Sequence, residues 1–189
     1  MSQQELVKKV ILALENAGIQ YMITGSMVSS LQGEPRSTHD TDIIISIQKP
    51  TIKKLVDTFS PADFYLDESS VLESINTIGM FNLIDVKESG KIDFWILTDE
   101  PFDKSRFSRR CTEEFMGVKI QVSSPEDTIL AKLRWAKLSG GSEKQFIDAL
   151  RVYEVQFEKL DMDYLERWVK ELGVEPLWER LKNEAEISS

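Results

Sequence analysis

The chain is short of cysteine and histidine. Its 189 residues contain one of each, Cys111 and His39. A single cysteine excludes an internal disulfide, and a single histidine excludes a histidine-based zinc site. Cys111 follows Arg109 and Arg110, whose charges favour a thiolate, but no histidine lies near it in sequence to act as a base, so an inert thiol is expected. Long apolar runs are also missing. A run such as Ile43-Ile44-Ile45 is far too short to span a bilayer, so no membrane association is expected. The opening Met1-Ser2-Gln3-Gln4-Glu5 has neither the basic region nor the apolar stretch of a signal peptide, and a cytoplasmic location is the default expectation. Excess basic charge is absent too. The formal net charge of −9 argues against broad electrostatic capture of nucleic acid. A local basic cluster remains, Lys104, Arg106, Arg109 and Arg110, and it is expected to be a solvated surface segment.

What is present reads as an ordinary globular protein, 41% hydrophobic and 29% charged. Leu6, Val7, Val10, Ile11 and Leu14 predict a helix over residues 4–17, with Gly18 as its stop. Strands are predicted over 20–24 and 41–47, with a helix over 26–32 between them and a loop from Gly33 to Ser37. Ile43-Ile44-Ile45 is apolar on both faces, as in a central strand. A helix from Pro50 to about 59, a short strand near 63–66 and a helix over 67–75 come next. Strands over 80–86 and 91–97 flank the turn Glu88-Ser89-Gly90, and a last strand runs over 118–122. From Ser124-Pro125-Glu126-Asp127 onward, every segment reads as helix: 125–138, 142–157, 161–172 and 175–186. The expected fold is α/β in the broad sense (α+β): a mixed sheet flanked by helices, then an all-helical C-terminal part. The expected division is residues 1–123 and 124–189. Trp135, Trp168 and Trp178 lie in the rear helices and are expected in the core, with interface anchoring as the alternative.

Two fragments carry chemistry. Gly25-Ser26 closes a predicted strand and opens a helix, so backbone N–H groups and the helix dipole can meet a phosphate there. The alternative is a tight turn with Ser26 as a simple cap. Asp40-Thr41-Asp42 precedes Ile43-Ile44-Ile45, and residues two apart on a strand share a face. Both carboxylates then project together and repel unless a cation or proton neutralises them. Spacing alone is weak, since Asp161-Met162-Asp163 has the same spacing where a helix cap is expected. A third acid, Asp93, sits in the apolar strand Lys91-Ile92-Asp93-Phe94-Trp95, where a carboxylate is costly unless paired or metal-bound. Asp85 is its rival, but it lies close to the predicted turn. Three carboxylates beside a phosphate cradle suit two divalent metals, with magnesium the natural choice for oxygen ligands. His39 falls on the opposite strand face from Asp40 and Asp42, so a surface or packing role is expected for it.

Gly25-Ser26, Asp40-Thr41-Asp42-Ile43 and the later Asp93 together resemble the signature of the polymerase-β-type nucleotidyltransferase superfamily. More narrowly, Arg36-Ser37-Thr38-His39-Asp40-Thr41-Asp42 and Pro125-Glu126-Asp127 through Lys132 resemble the bacterial AbiEii-like group, which includes nucleotidyltransferase toxins. The resemblance implies a metal-dependent enzyme that moves a nucleoside monophosphate from a triphosphate such as ATP to an acceptor hydroxyl. Asp40, Asp42 and Asp93 would hold the metals, and Asp93 would also act as base. Gly25 and Ser26 would bind the triphosphate, joined by Lys132 and Arg36. Surface exposure is the alternative for Lys132, and a free loop position for Arg36. Thr41 departs from the family, which more often has an apolar residue between the acids. The acceptor could be RNA or protein, as in a toxin–antitoxin pair with an antitoxin as partner. The acidic chain better suits a small cationic acceptor such as an aminoglycoside. A non-catalytic binding module of the same fold is the third possibility.

Overall fold

A computed structural model describes residues 1–35 and 40–187. The expectations placed on Arg36 and His39 lie outside the described residues. The strands are β1 (Gln20–Thr24), β2 (Asp40–Ser46), β3 (Phe64–Tyr65), β4 (Met80–Asp85), β5 (Lys91–Ile96), β6 (Cys111–Phe115) and β7 (Val118–Val122). The helices are α1 (Gln3–Ala17), α2 (Gly25–Gln32), α3 (Lys49–Val56), α4 (Glu68–Thr77), α5 (Pro101–Ser108), α6 (Pro125–Leu138), α7 (Glu143–Gln156), α8 (Met162–Leu172) and α9 (Glu175–Glu184). No described helix is long and apolar enough to cross a membrane. The chain forms two compact units: Met1–Thr24 with Thr38–Val122, and Gly25–Ser37 with Ser123–Ser189. Helix α2 therefore groups with the rear helices and not with the sheet strand that it directly follows.

The first unit holds the whole sheet, in the order β3-β4-β5-β2-β1-β7-β6. It is mixed: β2 runs parallel to β5 and antiparallel to β1, and β1 runs parallel to β7. β2 is central, and Ile43, Ile44 and Ile45 are all buried because both faces of the strand are covered. One face carries Ile23, Ile43, Phe94 and Leu83, with Phe81 and Phe94 stacked at 4.9 Å. Helix α1 packs on this side: Gln3 Nε2 donates to Thr41 Oγ1 at 3.1 Å, and Thr41 shares the face of Ile43. Ser2 caps α1 through a reciprocal capping box with Glu5, and Gly18, at φ 73°, ends it.

Two elements escape the sequence patterns. Helix α5 has few apolar residues beyond the buried Phe102 and Phe107, so its helical period is weak. Strand β6 is an exposed edge without alternation, Cys111-Thr112-Glu113-Glu114-Phe115. Its partner β7 and the two-residue turn Met116-Gly117, with φ of 49° and 74°, define it. Positive φ at both central positions is the twist-compatible hairpin turn, here built without the usual Asn-Gly.

The second unit is all helix. Ser124 Oγ accepts from Asp127 N at 3.2 Å to cap α6, and Asp161 Oδ1 accepts from Tyr164 N at 3.0 Å to cap α8. The Asp161-Met162-Asp163 triplet is thus part of a helix start, as its sequence context implied. Helix α2 is tied in at its C-terminus: Gln156 Nε2 donates to the Gln32 carbonyl at 2.7 Å, and Gln32 Nε2 to the Ser123 carbonyl at 2.6 Å. A Cβ on Gly33 would stand 2.9 Å from Val152 N, so α2 and α7 approach more closely than a side chain allows. Trp168 and Trp178 are buried, the latter donating Nε1–H to Glu166 at 2.9 Å. Trp135 corrects the expectation of a core residue: it is 51% exposed, because the buried face of α6 runs through Ile129, Leu133 and Ala136.

Candidate active site

The sheet register builds the acidic part of the site within the first unit. Thr24 pairs with Asp42, Asp42 with Asp93, and Asp93 with Asn82, so four adjacent strands contribute one row of polar residues. Asp40 stands opposite Lys91, one position further along the same face. On the other side of the row, Met22, Ile44 and Trp95 make an apolar base with Phe107 of α5. Exposure falls across the acids: Asp40 is exposed, Asp42 intermediate and Asp93 buried.

Each inner acid has a defined partner. Trp95 Nε1 donates to Asp42 Oδ1 at 3.1 Å. The Asn82 amide donates to Asp93 Oδ1, and Lys91 Nζ lies 2.9 Å from Asp93 Oδ2. The Lys91 ammonium is held above its ordinary pKa, first by its hydrogen bond to Asp93 and then by the negative charges of Asp93, Asp40 and Asp42, against partial burial. The row therefore contains an internal cation. Asp85 lies elsewhere: its Oδ1 accepts from Lys87 N at 3.0 Å and Glu88 N at 3.3 Å, holding the β4–β5 turn.

Among the described residues, no three His, Cys, Asp or Glu side chains are arranged to hold a metal ion. Both Asp93 oxygens are already occupied by Asn82 and Lys91. The donor chemistry still fits one class of ion. Carboxylates without nitrogen or sulfur are the ligands of a hard cation such as magnesium.

The second unit holds the remaining candidates. Gly25, at φ 73°, starts α2 in a conformation that favours glycine, and Ser26 follows it. Lys132 of α6 reaches Ser26 Oγ at 3.4 Å and Asp148 Oδ2 of α7 at 2.7 Å. Lys132 and Asp148 are both buried, which rules out the surface-lysine alternative. Three residues of the basic cluster have local partners: Lys104 pairs with Asp99 at 2.8 Å, Arg106 with Asp103 at 2.8 Å, and Arg110 lies over the Phe107 ring at 4.4 Å. The half-buried Cys111 has its Sγ 3.6 Å from the Arg109 carbonyl.

Four residues of these clusters escape a motif search: Lys91, Trp95, Asn82 and Asp148. Lys91 and Trp95 flank Asp93 at two-residue spacing, so strand periodicity alone puts them on its face. Asp148, within Phe146-Ile147-Asp148-Ala149-Leu150, is legible as an acid in an apolar helix stretch. Asn82 needed the register.

No protein-family model matches the chain. No curated protein matches it either. Solved structures do. An antigenic nucleotidyltransferase-like protein from Paracoccidioides brasiliensis is 18% identical, with a TM-score of 0.56, over 97% of this chain and 94% of that one. ANT(2″)-Ia in complex with adenylyl-2″-tobramycin is 13% identical, with a TM-score of 0.54, over 91% of this chain and 97% of that one. The antibiotic-resistance factor ANT(2″)-Ia in solution is 12% identical, with a TM-score of 0.51, over 96% and 95%. At such low identity the likeness establishes architecture and not chemistry. The chain has the nucleotidyltransferase fold.

Proposed function

We propose that the chain is a metal-dependent nucleotidyltransferase that moves a nucleoside monophosphate from a triphosphate to an acceptor hydroxyl. The observation that carries this reading is the register pairing of Asp42 with Asp93, with Asp40 on the same face, in a sheet of this fold. Asp40 and Asp42 would hold magnesium, and Asp93 would complete the set. The ion, when bound, would neutralise triphosphate charge that the carboxylates themselves repel. Gly25 and Ser26, which follow Thr24 directly, would cradle the phosphates with α2 N–H groups. Lys132 would support that end of α2 through Ser26 Oγ. In the transfer, the acceptor oxygen bonds to the α-phosphorus and pyrophosphate leaves. Asp93 takes the hydroxyl proton.

Calorimetry with magnesium-ATP tests the site. The wild type should bind, and Asp42→Asn should lose about tenfold or more in affinity, since a charged ligand to the ion is removed. Equal binding by both proteins would remove this reading.

The net charge of −9 favours a small cationic acceptor, and a structural neighbour was captured with adenylylated tobramycin. Labelled ATP offered with an aminoglycoside panel and, separately, with cell RNA and protein discriminates the acceptors. Label on an aminoglycoside supports the small-molecule reading, and label on RNA or protein supports the toxin-like one.

A further inference from the structure

We propose that Lys91 is a positioning residue that acts as a resident counter-cation of the carboxylate row, and that a divalent cation must displace it from Asp93 to bind. This rests on the reading of the acids as a metal site. Three observations carry it. First, the strand puts Lys91 on the face of Asp93, and the register puts it opposite Asp40. Second, its Nζ lies 2.9 Å from Asp93 Oδ2, the oxygen left over once Asn82 has engaged Oδ1. An ammonium and a metal ion cannot occupy one oxygen at once. Third, the Lys91 side chain is 39% exposed, against 11% for Asp93. A long stem that is 39% exposed can withdraw into solvent at little cost in packing. Asp42 and Asp93 stand side by side, where like charges repel, so some cation is needed there even before a divalent ion arrives.

A direct consequence is that Lys91 sets the metal affinity of the site. With the ammonium present, an arriving ion gains only the difference between its own attraction and that of Lys91. Removing the ammonium while keeping an apolar stem of similar length, as in Lys91→Met, removes the competitor. Lys91→Arg restores a positive charge at the same position.

The test titrates manganese, as a spectroscopically visible substitute for magnesium, into the wild type, Lys91→Met, Lys91→Arg and Asp42→Asn, followed by electron paramagnetic resonance. Manganese binding should tighten about tenfold in Lys91→Met, stay near wild type in Lys91→Arg, and be lost in Asp42→Asn. A lysine with a purely structural role would not tighten binding when removed. Unchanged or weaker binding in Lys91→Met, with binding still lost in Asp42→Asn, overturns the role of Lys91 and leaves the metal site standing. Absence of any manganese site that depends on Asp42 removes both. Thermal midpoints supply a second readout: manganese should raise the midpoint of Lys91→Met more than that of the wild type, and equal rises count against the proposal.

Discussion

Each compact unit carries a lysine on an aspartate, and the two pairs differ in their surroundings more than in their geometry. Lys91 and Asp93 sit on one strand at 2.9 Å, with side chains 39% and 11% exposed. Lys132 and Asp148 join two helices at 2.7 Å, with side chains 6% and 8% exposed. Coulomb attraction at such similar distances does not separate them; solvent does. A partly exposed ammonium can trade its carboxylate for water, so the pair is exchangeable. A buried ammonium has no such alternative, and losing one partner strands the other charge in a poor solvent. The same two residue types thus make a replaceable cation on the sheet and a fixed brace among the helices.

The largest expected effect tests the brace. Lys132→Met should lower the unfolding free energy by about 3–5 kcal/mol in urea denaturation, because the buried Asp148 loses the ammonium that lies 2.7 Å from it. Lys132→Met combined with Asp148→Leu should recover most of that loss, since a buried pair can be exchanged for apolar packing. A loss below about 1 kcal/mol for Lys132→Met would place this pair with surface pairs and erase the contrast. On the sheet side, Lys91→Met should cost less than Lys132→Met in the same assay, because the Lys91 side chain is 39% exposed against 6% for Lys132. An equal or larger loss would make Lys91 a brace as well.

A smaller effect is expected at the edge of the acidic row. Trp95→Phe keeps an aromatic ring on the apolar base but removes the indole N–H that donates to Asp42. Stability should fall by about 1.5–3 kcal/mol at most, the range for a hydrogen bond to a charged group, and magnesium-ATP affinity should fall with it. Affinity unchanged in Trp95→Phe would show that the site does not depend on the Trp95 donor.

The smallest effect lies away from both pairs. Asp67 caps α4, and the hydroxyls of Ser69 and Ser70 with the Ser70 N–H hold its carboxyl down at about 2, from an ordinary 3.8. A depressed acid stabilises the fold fully above its ordinary value and loses that contribution as pH falls through the folded value. The gap in thermal midpoint between the wild type and Asp67→Asn should therefore be widest near neutral pH and close as pH falls toward about 2. A gap that stays constant with pH would mean that the cap does not depend on charge.

Most of the fold was legible in the chain because its elements obey a clear period or cap. Leu6 through Leu14 mark α1, Ile43-Ile44-Ile45 mark a central strand, and Ser124-Pro125 marks the turn to helices. Helix α5 and strand β6 were not legible. The first has too few apolar residues to show a period, and the second is an exposed edge stabilised by its partner β7. Trp135 shows a related limit: large aromatic residues are usually buried, but side-chain size does not say which face of a helix meets the core.

The sequence by itself determined the candidate acids, because carboxylates in apolar strands and a Gly-Ser turn are chemically conspicuous without any coordinates. Only the tertiary structure decided how they are arranged. Strand register, set by pairing over many residues, put Asp93 and not Asp85 beside Asp42, and gave Asp93 the partners Asn82 and Lys91. Helix packing decided that Lys132 is buried against Asp148. Both depend on contacts between residues far apart in the chain, and burial, which separates an exchangeable charge from a fixed one, exists only once those contacts have formed.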